Sequence, residues 1–336
     1  MKKILISLLL TVMFLPVYAN GSMEETEKTD EPRVLVVSTW DYDVEALQEF
    51  LFTPFEEEHN VTIELDLGRD GDRYTKLLNE IDITEIDVFL ATQATIQKGI
   101  EDGLFEKMNK GKLENFDSLY ELAKNPNGAD YGMLYTVNRL MVAGKSENLP
   151  ATWEEIFADT TSKFAVPHMT STFGPMVLYG AGDVSGDGSE NLETVKNWVE
   201  SGNVNAYVST FSTTTATLNG EYDYALLADY GFNPELNWGD LDRVLLNGNA
   251  ANIVKGTKNK DLAMEFIDFL LSIEVQNESL DRGIDSPVNM KVEFEAGQEN
   301  GKTDLSLFPG AILTDIDLVN KNREAWVAKW NEMFTE

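Results

Sequence analysis

Short apolar, β-branched runs alternate with helix-like segments along this chain, and this alternation constrains the fold more than any other feature of the sequence. Such runs stand at Arg33–Ser38 (RVLVVS), Ile86–Ala91 (IDVFLA), Phe164–Pro167 (FAVP) and Tyr222–Ala228 (YDYALLA), while Val61–Leu67 alternates apolar and polar residues. Continuous apolar runs are typical of strands buried on both faces, as in parallel sheets. Strands separated by helices form βαβ units, so the sequence predicts an α/β fold.

Local signals predict where several helices begin and end. Residues 42–58 carry apolar side chains at spacings of three and four, and Pro54 predicts either a kink or a second helix that starts at Thr53. Thr152-Trp153-Glu154-Glu155 predicts a capped helix start. The last helix is expected at about 315–334, with its large apolar residues facing inward.

Composition and charge exclude several classes of protein. The 336 residues include 58 acidic and 26 basic side chains, for a formal net charge of -32, and 43% are hydrophobic. That hydrophobic content is typical of globular proteins, and a chain of this length is expected to divide into two domains. The acidic excess argues against nucleic acid and anionic membranes as partners. Because the chain has no cysteine, disulfides and thiolate chemistry are excluded.

The N-terminal residues have the pattern of a secretory signal peptide. Two lysines precede an apolar run at Ile4–Val17, which is short for a membrane span, and a cleavage site follows at Ala19. An uncleaved anchor helix is the alternative. We therefore predict a signal peptide at 1–19 and an acidic, solvated leader at 20–32. The mature protein is expected in the periplasm without a lipid anchor, because no cysteine stands at the cleavage site.

Known catalytic signatures do not occur in the sequence. There is no HExxH, GxSxG or GxxxxGK[ST] motif, and the histidines are limited to His59 and His168. Asp183–Thr194 resembles a calcium loop, but Thr194 stands where the bidentate glutamate is required, which favours a solvated loop. We expect no enzymatic activity, cofactor or metal. An exported hydrolase that uses paired carboxylates is the alternative.

Two C-terminal segments carry a resemblance to a known family. Val254–Gln276 and the turn Ser286-Pro287-Val288-Asn289 resemble the "KGxKNKxLAxxFIxFLLSxEVQ" segment and the S/TPxN turn of the ABC-transporter solute-binding proteins of extracellular family 1. The branch that binds polyamines (spermidine and putrescine) is the most similar. Shorter segments that resemble the family lie at Phe55–Glu58, Asp87–Leu90, Gly103–Phe105 and Thr152–Glu155.

This resemblance implies a periplasmic-binding-protein-like fold of type II, in which two crossover strands join two α/β lobes and act as a hinge. Lobe 1 would comprise 33–135 and 247–336, lobe 2 would comprise 136–246, and the last helix would pack back on lobe 1. The resemblance also implies a monomer that closes on a small-molecule ligand. The closed form would then deliver that ligand to the permease subunits of an ABC importer.

Ligand-binding residues are expected where strands end and helices begin, because loops of both lobes converge there. An aromatic face with a carboxylate suits an ammonium group. The helix start near Ser171 suits an anion or a polar neutral group. The candidate residues are Trp40, Asp41, Tyr42, Thr92, Gln93, Ser171, Thr172, Phe173, Asp229 and Tyr230.

The resemblance to polyamine binders is incomplete at these positions. Those proteins place a tryptophan, an acid and a tyrosine after the first strand, which Trp40, Asp41 and Tyr42 match in type. Their aromatic pair near Gln93, acidic pair near Ser171 and Trp-x-Asp near 249–253 have no counterpart here. We therefore expect a small cationic or zwitterionic amine, with a thiamine-type, anionic or sugar ligand as the alternative.

Overall fold

The computed structural model describes residues 33–295 and 301–334. The predicted signal peptide and acidic leader lie outside the described residues. Within those two described ranges, no helix combines the length and the apolar character that crossing a membrane requires.

Ten strands of the described residues join into one sheet. They are β1 (Arg33–Thr39), β2 (Val61–Leu67), β3 (Val88–Thr92), β4 (Met133–Gly144), β5 (Lys163–Pro167), β6 (Asn203–Tyr207), β7 (Tyr224–Ala228), β8 (Asn237–Gly239), β9 (Leu245–Ile253) and β10 (Ile312–Leu313). The order across the sheet is β2-β1-β3-β9-β4-β7-β5-β6, with β10 beside β9 and β8 beside β4. β1 pairs in parallel with β2 and β3, and β5 pairs in parallel with β6 and β7. The carboxyl ends of each parallel group therefore lie together.

Helices pack against this sheet. They are α1 (Val44–Leu47), α2 (Thr53–His59), α3 (Asp70–Glu80), α4 (Gln93–Glu101), α5 (Glu121–Lys124), α6 (Trp153–Ala158), α7 (Gly174–Gly180), α8 (Ser189–Ser201), α9 (Thr210–Leu218), α10 (Lys260–Leu270), α11 (Ile273–Asp281) and α12 (Ile316–Met333). The predicted cap of α6 is confirmed: the Glu155 amide donates to Thr152 Oγ1 at 3.1 Å, and the Thr152 amide donates to Glu155 Oε2 at 3.3 Å.

Pro54 was expected either to kink the helix or to start a new one at Thr53, and the helical backbone continues through it. A π-helical segment, Gln48–Phe52, joins α1 to α2, and Thr53 makes no capping hydrogen bond as the start of a new helix would. Instead Thr53 Oγ1 accepts a hydrogen bond from Gln48 Nε2 at 2.9 Å. A π turn alters the backbone hydrogen-bonding pattern, so it can accommodate the N–H that Pro54 lacks.

Buried apolar side chains form two large cores. The first core contains residues of 35–137 and 246–305, and we call the elements packed around it the first lobe. The second core contains residues of 140–245 together with three side chains of α12, and we call its surroundings the second lobe. The strands β4 and β9 pass between the cores. They pair antiparallel from Met133↔Ala251 to Leu140↔Leu245, so they are the crossover strands of the fold.

The position of the last helix differs from the expectation. We expected α12 to pack on lobe 1, but Val319, Trp326 and Trp330 are buried in the second core. Trp326 Nε1 donates to the Asp187 carbonyl at 2.6 Å. Gly188, at φ 70°, brings the backbone against the same indole ring. Two buried tryptophans therefore place the apolar face of α12 in the second core, while α12 also packs along α4 of the first lobe, where Asn320 Nδ2 donates to the Ala94 carbonyl at 3.4 Å.

Candidate functional site

An aromatic pair follows β1 in the first lobe, as predicted. The Trp40 and Tyr42 rings lie 5.9 Å apart between centroids, and Tyr42 is 49% exposed. Both side chains line a cavity of ≈ 30 Å³ that Tyr135 and Asp285 also line. The adjacent Asp41 is exposed. The end of β1 thus presents aromatic surface beside carboxylates.

A buried arginine holds Trp40 in place. Arg73, which is 2% exposed, lies with its guanidinium 5.1 Å from the centre of the Trp40 ring. It donates hydrogen bonds to Ser38 Oγ at 3.1 Å and to the Gly68 and Leu90 carbonyls at 3.0 and 2.9 Å. Burial lowers its pKa, opposed by Asp70. Arg73 was not predicted from the sequence to be part of the site. Its hydrogen-bond partners belong to three strands or the residues just after them, and no local sequence pattern shows that these segments meet.

The second lobe contributes a matching aromatic group. Tyr230, which is 38% exposed, lies 5.9 Å from Phe173 and 5.5 Å from Phe211 between ring centroids. Its hydroxyl lies 3.0 Å from Thr210 Oγ1. Phe173 and Tyr230 were predicted from the sequence. Phe211 was not, although it is exposed and stands at the start of α9.

The aromatic groups of the two lobes lie within electrostatic reach of each other. Desolvation, the negative charge of Asp285 and then the phenol of Tyr230 raise the pKa of Tyr42. Such an electrostatic effect requires proximity, so Tyr42 of the first lobe lies near Tyr230 of the second. The structure therefore brings together four predicted residues, Trp40, Tyr42, Phe173 and Tyr230.

Asp229 occupies a different position from the one expected of a ligand contact. It is 0% exposed, and Asn138 Nδ2 donates to its Oδ1 at 3.2 Å. Thr303 Oγ1 and Ser286 Oγ donate to its Oδ2 at 3.1 and 3.4 Å. Burial raises the pKa of Asp229, opposed by Lys302. This carboxylate joins the second lobe to a crossover strand and to two segments of the first lobe.

The remaining predicted residues serve local structure. Thr92 caps α4 and donates to Asp70 Oδ2 at 2.8 Å, while Gln93, 5% exposed, donates from Nε2 to the Pro126 carbonyl at 2.8 Å. Ser171 Oγ accepts from the Gly174 amide at 3.1 Å. Thr172 is partly exposed beside it. These hydroxyl and amide groups already make hydrogen bonds at helix starts and in loops, so fewer of them are available to a ligand.

The comparison with protein families decides the identity. The family model for bacterial extracellular solute-binding proteins matches residues 51–298.

The chain belongs to this family of solute-binding proteins.

Solved structures agree with this assignment. An ABC transporter protein from Clostridium perfringens is 31% identical with a TM-score of 0.82, and the match covers 90% of this chain and 100% of that chain. A ferric binding protein from Campylobacter jejuni is 17% identical with a TM-score of 0.71, covering 89% and 99%. A spermidine/putrescine transporter substrate-binding protein from Streptococcus pneumoniae is 16% identical with a TM-score of 0.69, covering 90% and 99%. No curated protein matches the chain.

These likenesses confirm the predicted two-lobed α/β fold of periplasmic binding proteins. This solute-binding protein is a substrate-binding protein of ABC transporters, and its family and structural neighbours are transport proteins rather than enzymes. The ferric and spermidine/putrescine proteins match it to a similar degree, so the fold alone does not distinguish their ligands.

The solute-binding protein has a cavity-lining carboxylate that sequence reasoning missed. Asp285 precedes the Ser286–Asn289 turn and lines the cavity behind Trp40 and Tyr42. Burial raises its pKa to about 6, opposed by Lys302 and by a hydrogen bond from Thr136. The signal that could have found it is its place next to the family-like turn. That signal was insufficient because the cavity is formed by segments distant in sequence.

Proposed function

We propose that this solute-binding protein captures a small cationic or zwitterionic amine between its lobes, in the periplasm, and delivers it to the permease of an ABC importer. The observation that carries the proposal is that each lobe supplies exposed aromatic side chains, Trp40 and Tyr42 on one lobe and Tyr230 on the other, with Tyr42 and Tyr230 within electrostatic reach. Aromatic faces attract ammonium groups through their quadrupoles, and more strongly when water is excluded. Neither lobe alone supplies both groups, so a ligand that contacts both would favour the closed arrangement.

The charges near this site also favour a cation. Asp43 and Asp229 each lie close enough to Asp285 to raise its pKa. The opposing positive charges are Lys302, which acts on Asp285 and Asp229, Arg139, which acts on Asp229, and Arg73, which acts on Tyr42. An arriving ammonium group would relieve the repulsion among the carboxylates.

The zwitterionic alternative rests on a separate cation. The Arg323 guanidinium donates to the carbonyls of Met169, Thr170 and Ser171 at 3.3–3.5 Å, and burial lowers its pKa. If the anionic end of a ligand lay near Ser171, the positive charge of Arg323 would attract it. A purely anionic or sugar ligand would make less use of Tyr42 and Tyr230, and the amine is therefore our preferred class.

We also propose that the lobes separate and close about β4 and β9, with the lobe boundaries near Tyr135 and Leu246. The change from first-core to second-core residues at these positions supports this division. Because α12 packs on the second core, the chain would cross between the lobes a third time before that helix.

Two measurements test the proposed function. Native mass spectrometry of protein purified without denaturation should reveal a co-purifying amine, and calorimetry should then give its affinity. Trp40→Ala should weaken that affinity by about ten-fold or more, because a desolvated cation–π contact contributes roughly 2 kcal/mol. The control is Tyr222→Ala. It removes an aromatic side chain that contacts Lys163 and is not one of the proposed binding residues. A co-purifying sugar or anion without an amine, or equal affinities for Trp40→Ala and wild type, would refute the proposal.

A further inference from the structure

Asp285 stands at a wall shared by two small cavities. It lines the cavity of ≈ 30 Å³ behind Trp40 and Tyr42 and a second cavity of ≈ 20 Å³ beside α11. Tyr135 lines both cavities as well. The volumes suffice for a group the size of one or two water molecules. Asp285 is the acidic residue that lines both cavities, whose other lining residues are apolar or uncharged. The apolar residues shared by both cavities are Leu47, Leu51 and Leu270.

Charged groups of both signs act on Asp285. Burial raises its pKa, Lys302 and the Thr136 hydroxyl oppose this rise, and the smaller repulsions from Asp229 and Asp43 add to it. Lys302 Nζ itself donates to the Ile284 carbonyl at 2.9 Å. Asp43 adopts a left-handed conformation at φ 54°, which is unfavourable for a residue with a side chain. A buried carboxylate that lines a cavity, with a residue in an unfavourable backbone conformation nearby, is a combination that occurs at binding sites.

We propose that Asp285 is the residue that selects a primary ammonium group, by accepting its N–H hydrogen bonds at the edge of the aromatic pair. This inference rests on the proposed function and specifies the class of amine. A carboxylate accepts hydrogen bonds from –NH₃⁺, whereas a trimethylammonium group has no N–H to donate. The site therefore discriminates by hydrogen bonding.

The test is calorimetry with matched ligands at pH 7.5. The primary amines are putrescine and 4-aminobutyrate, and the N-trimethylated analogue of 4-aminobutyrate is the paired probe. Wild type should bind at least one primary amine and should bind the trimethylated probe at least about ten-fold more weakly. Asp285→Asn should lose at least about ten-fold in affinity for the bound primary amine. Asp261→Asn, an exposed first-turn residue of α10 in the same lobe, is the matched control and should bind as wild type does.

The outcomes separate this inference from the proposed function. If primary amines bind equally well to Asp285→Asn and to wild type, or if the trimethylated probe binds as tightly as its parent, the inference fails while the amine-binding function stands. If wild type binds none of the three probes and the co-purifying compound is not an amine, both fail; if it is an amine without a primary ammonium group, the inference fails alone, and a primary amine takes the place of the probes in the Asp285→Asn comparison. Unfolding curves for each variant establish that a loss of affinity does not reflect misfolding.

Discussion

Asp285→Asn should make the ligand-free protein more stable at neutral pH. In the folded state, burial raises the pKa of Asp285 from an ordinary value of 3.8 to about 6. A rise of this size corresponds to about 3 kcal/mol of unfavourable free energy when the carboxylate is ionised. Asparagine has nearly the same shape and carries no charge, so it should remove this cost. The expected gain at pH 8 is up to about 3 kcal/mol in the free energy of unfolding.

The sign of the pH dependence follows from proton binding. Between pH 4 and pH 6 the folded state binds a proton at Asp285 more tightly than the unfolded state, so the contribution of this residue to stability falls as pH rises. Above about pH 6 the cost is fully present, and below about pH 4 both states are protonated. The difference between Asp285→Asn and wild type should therefore grow from near zero at pH 4 to its full value by pH 7.

Urea unfolding at several pH values from 4 to 8, followed by circular dichroism, measures this difference. Asp261→Asn serves as the control, because its exposed side chain should leave stability within about 0.5 kcal/mol of wild type. A stability difference that does not change with pH, or an Asp285→Asn protein less stable than wild type at pH 8, would refute the reasoning. A destabilising carboxylate in the cleft is consistent with a residue retained for binding, since binding sites commonly reduce stability.

Two further substitutions test the contacts that join the lobes and fix the last helix. Asp229→Ala removes the acceptor of the hydrogen bonds from Asn138, Ser286 and Thr303 and leaves these buried donors unpaired, so we expect a loss of about 1–3 kcal/mol in urea unfolding; unchanged stability would contradict the hydrogen-bonded role of Asp229. Trp326→Ala removes a buried indole from the second core and should cost about 3–5 kcal/mol by calorimetry, whereas an unchanged Tm would mean that α12 does not depend on this contact.

Local patterns were sufficient for many of the individual elements. The alternating run Val61–Leu67 is the strand β2, and the predicted capping box at Thr152 is formed in the structure. The strand β9 was not recognised as a strand, because its sequence LLNGNAANI is rich in asparagine and glycine, which are rare in strands. It is nevertheless buried along its whole length. Pairing with β3 and β4 outweighs its weak local preference.

The residues of the candidate site, like the secondary-structure elements, could be predicted from the sequence only in part. The sequence indicated Trp40, Tyr42 and Tyr230 because each follows a strand, and parallel strands bring such positions together. It could not distinguish Asp229 from Asp285.

The sequence by itself determined the α/β class, most strand positions and the aromatic residues at the strand ends, since these depend on patterns within a few residues. Tertiary structure alone decided that Asp229 is enclosed by hydrogen-bond donors and that Asp285 lines a cavity. It also decided that α12 belongs to the second lobe. The physical reason is that burial and electrostatic environment arise from segments that are far apart in sequence, so that no local pattern records whether Asp229 or Asp285 will meet its partners.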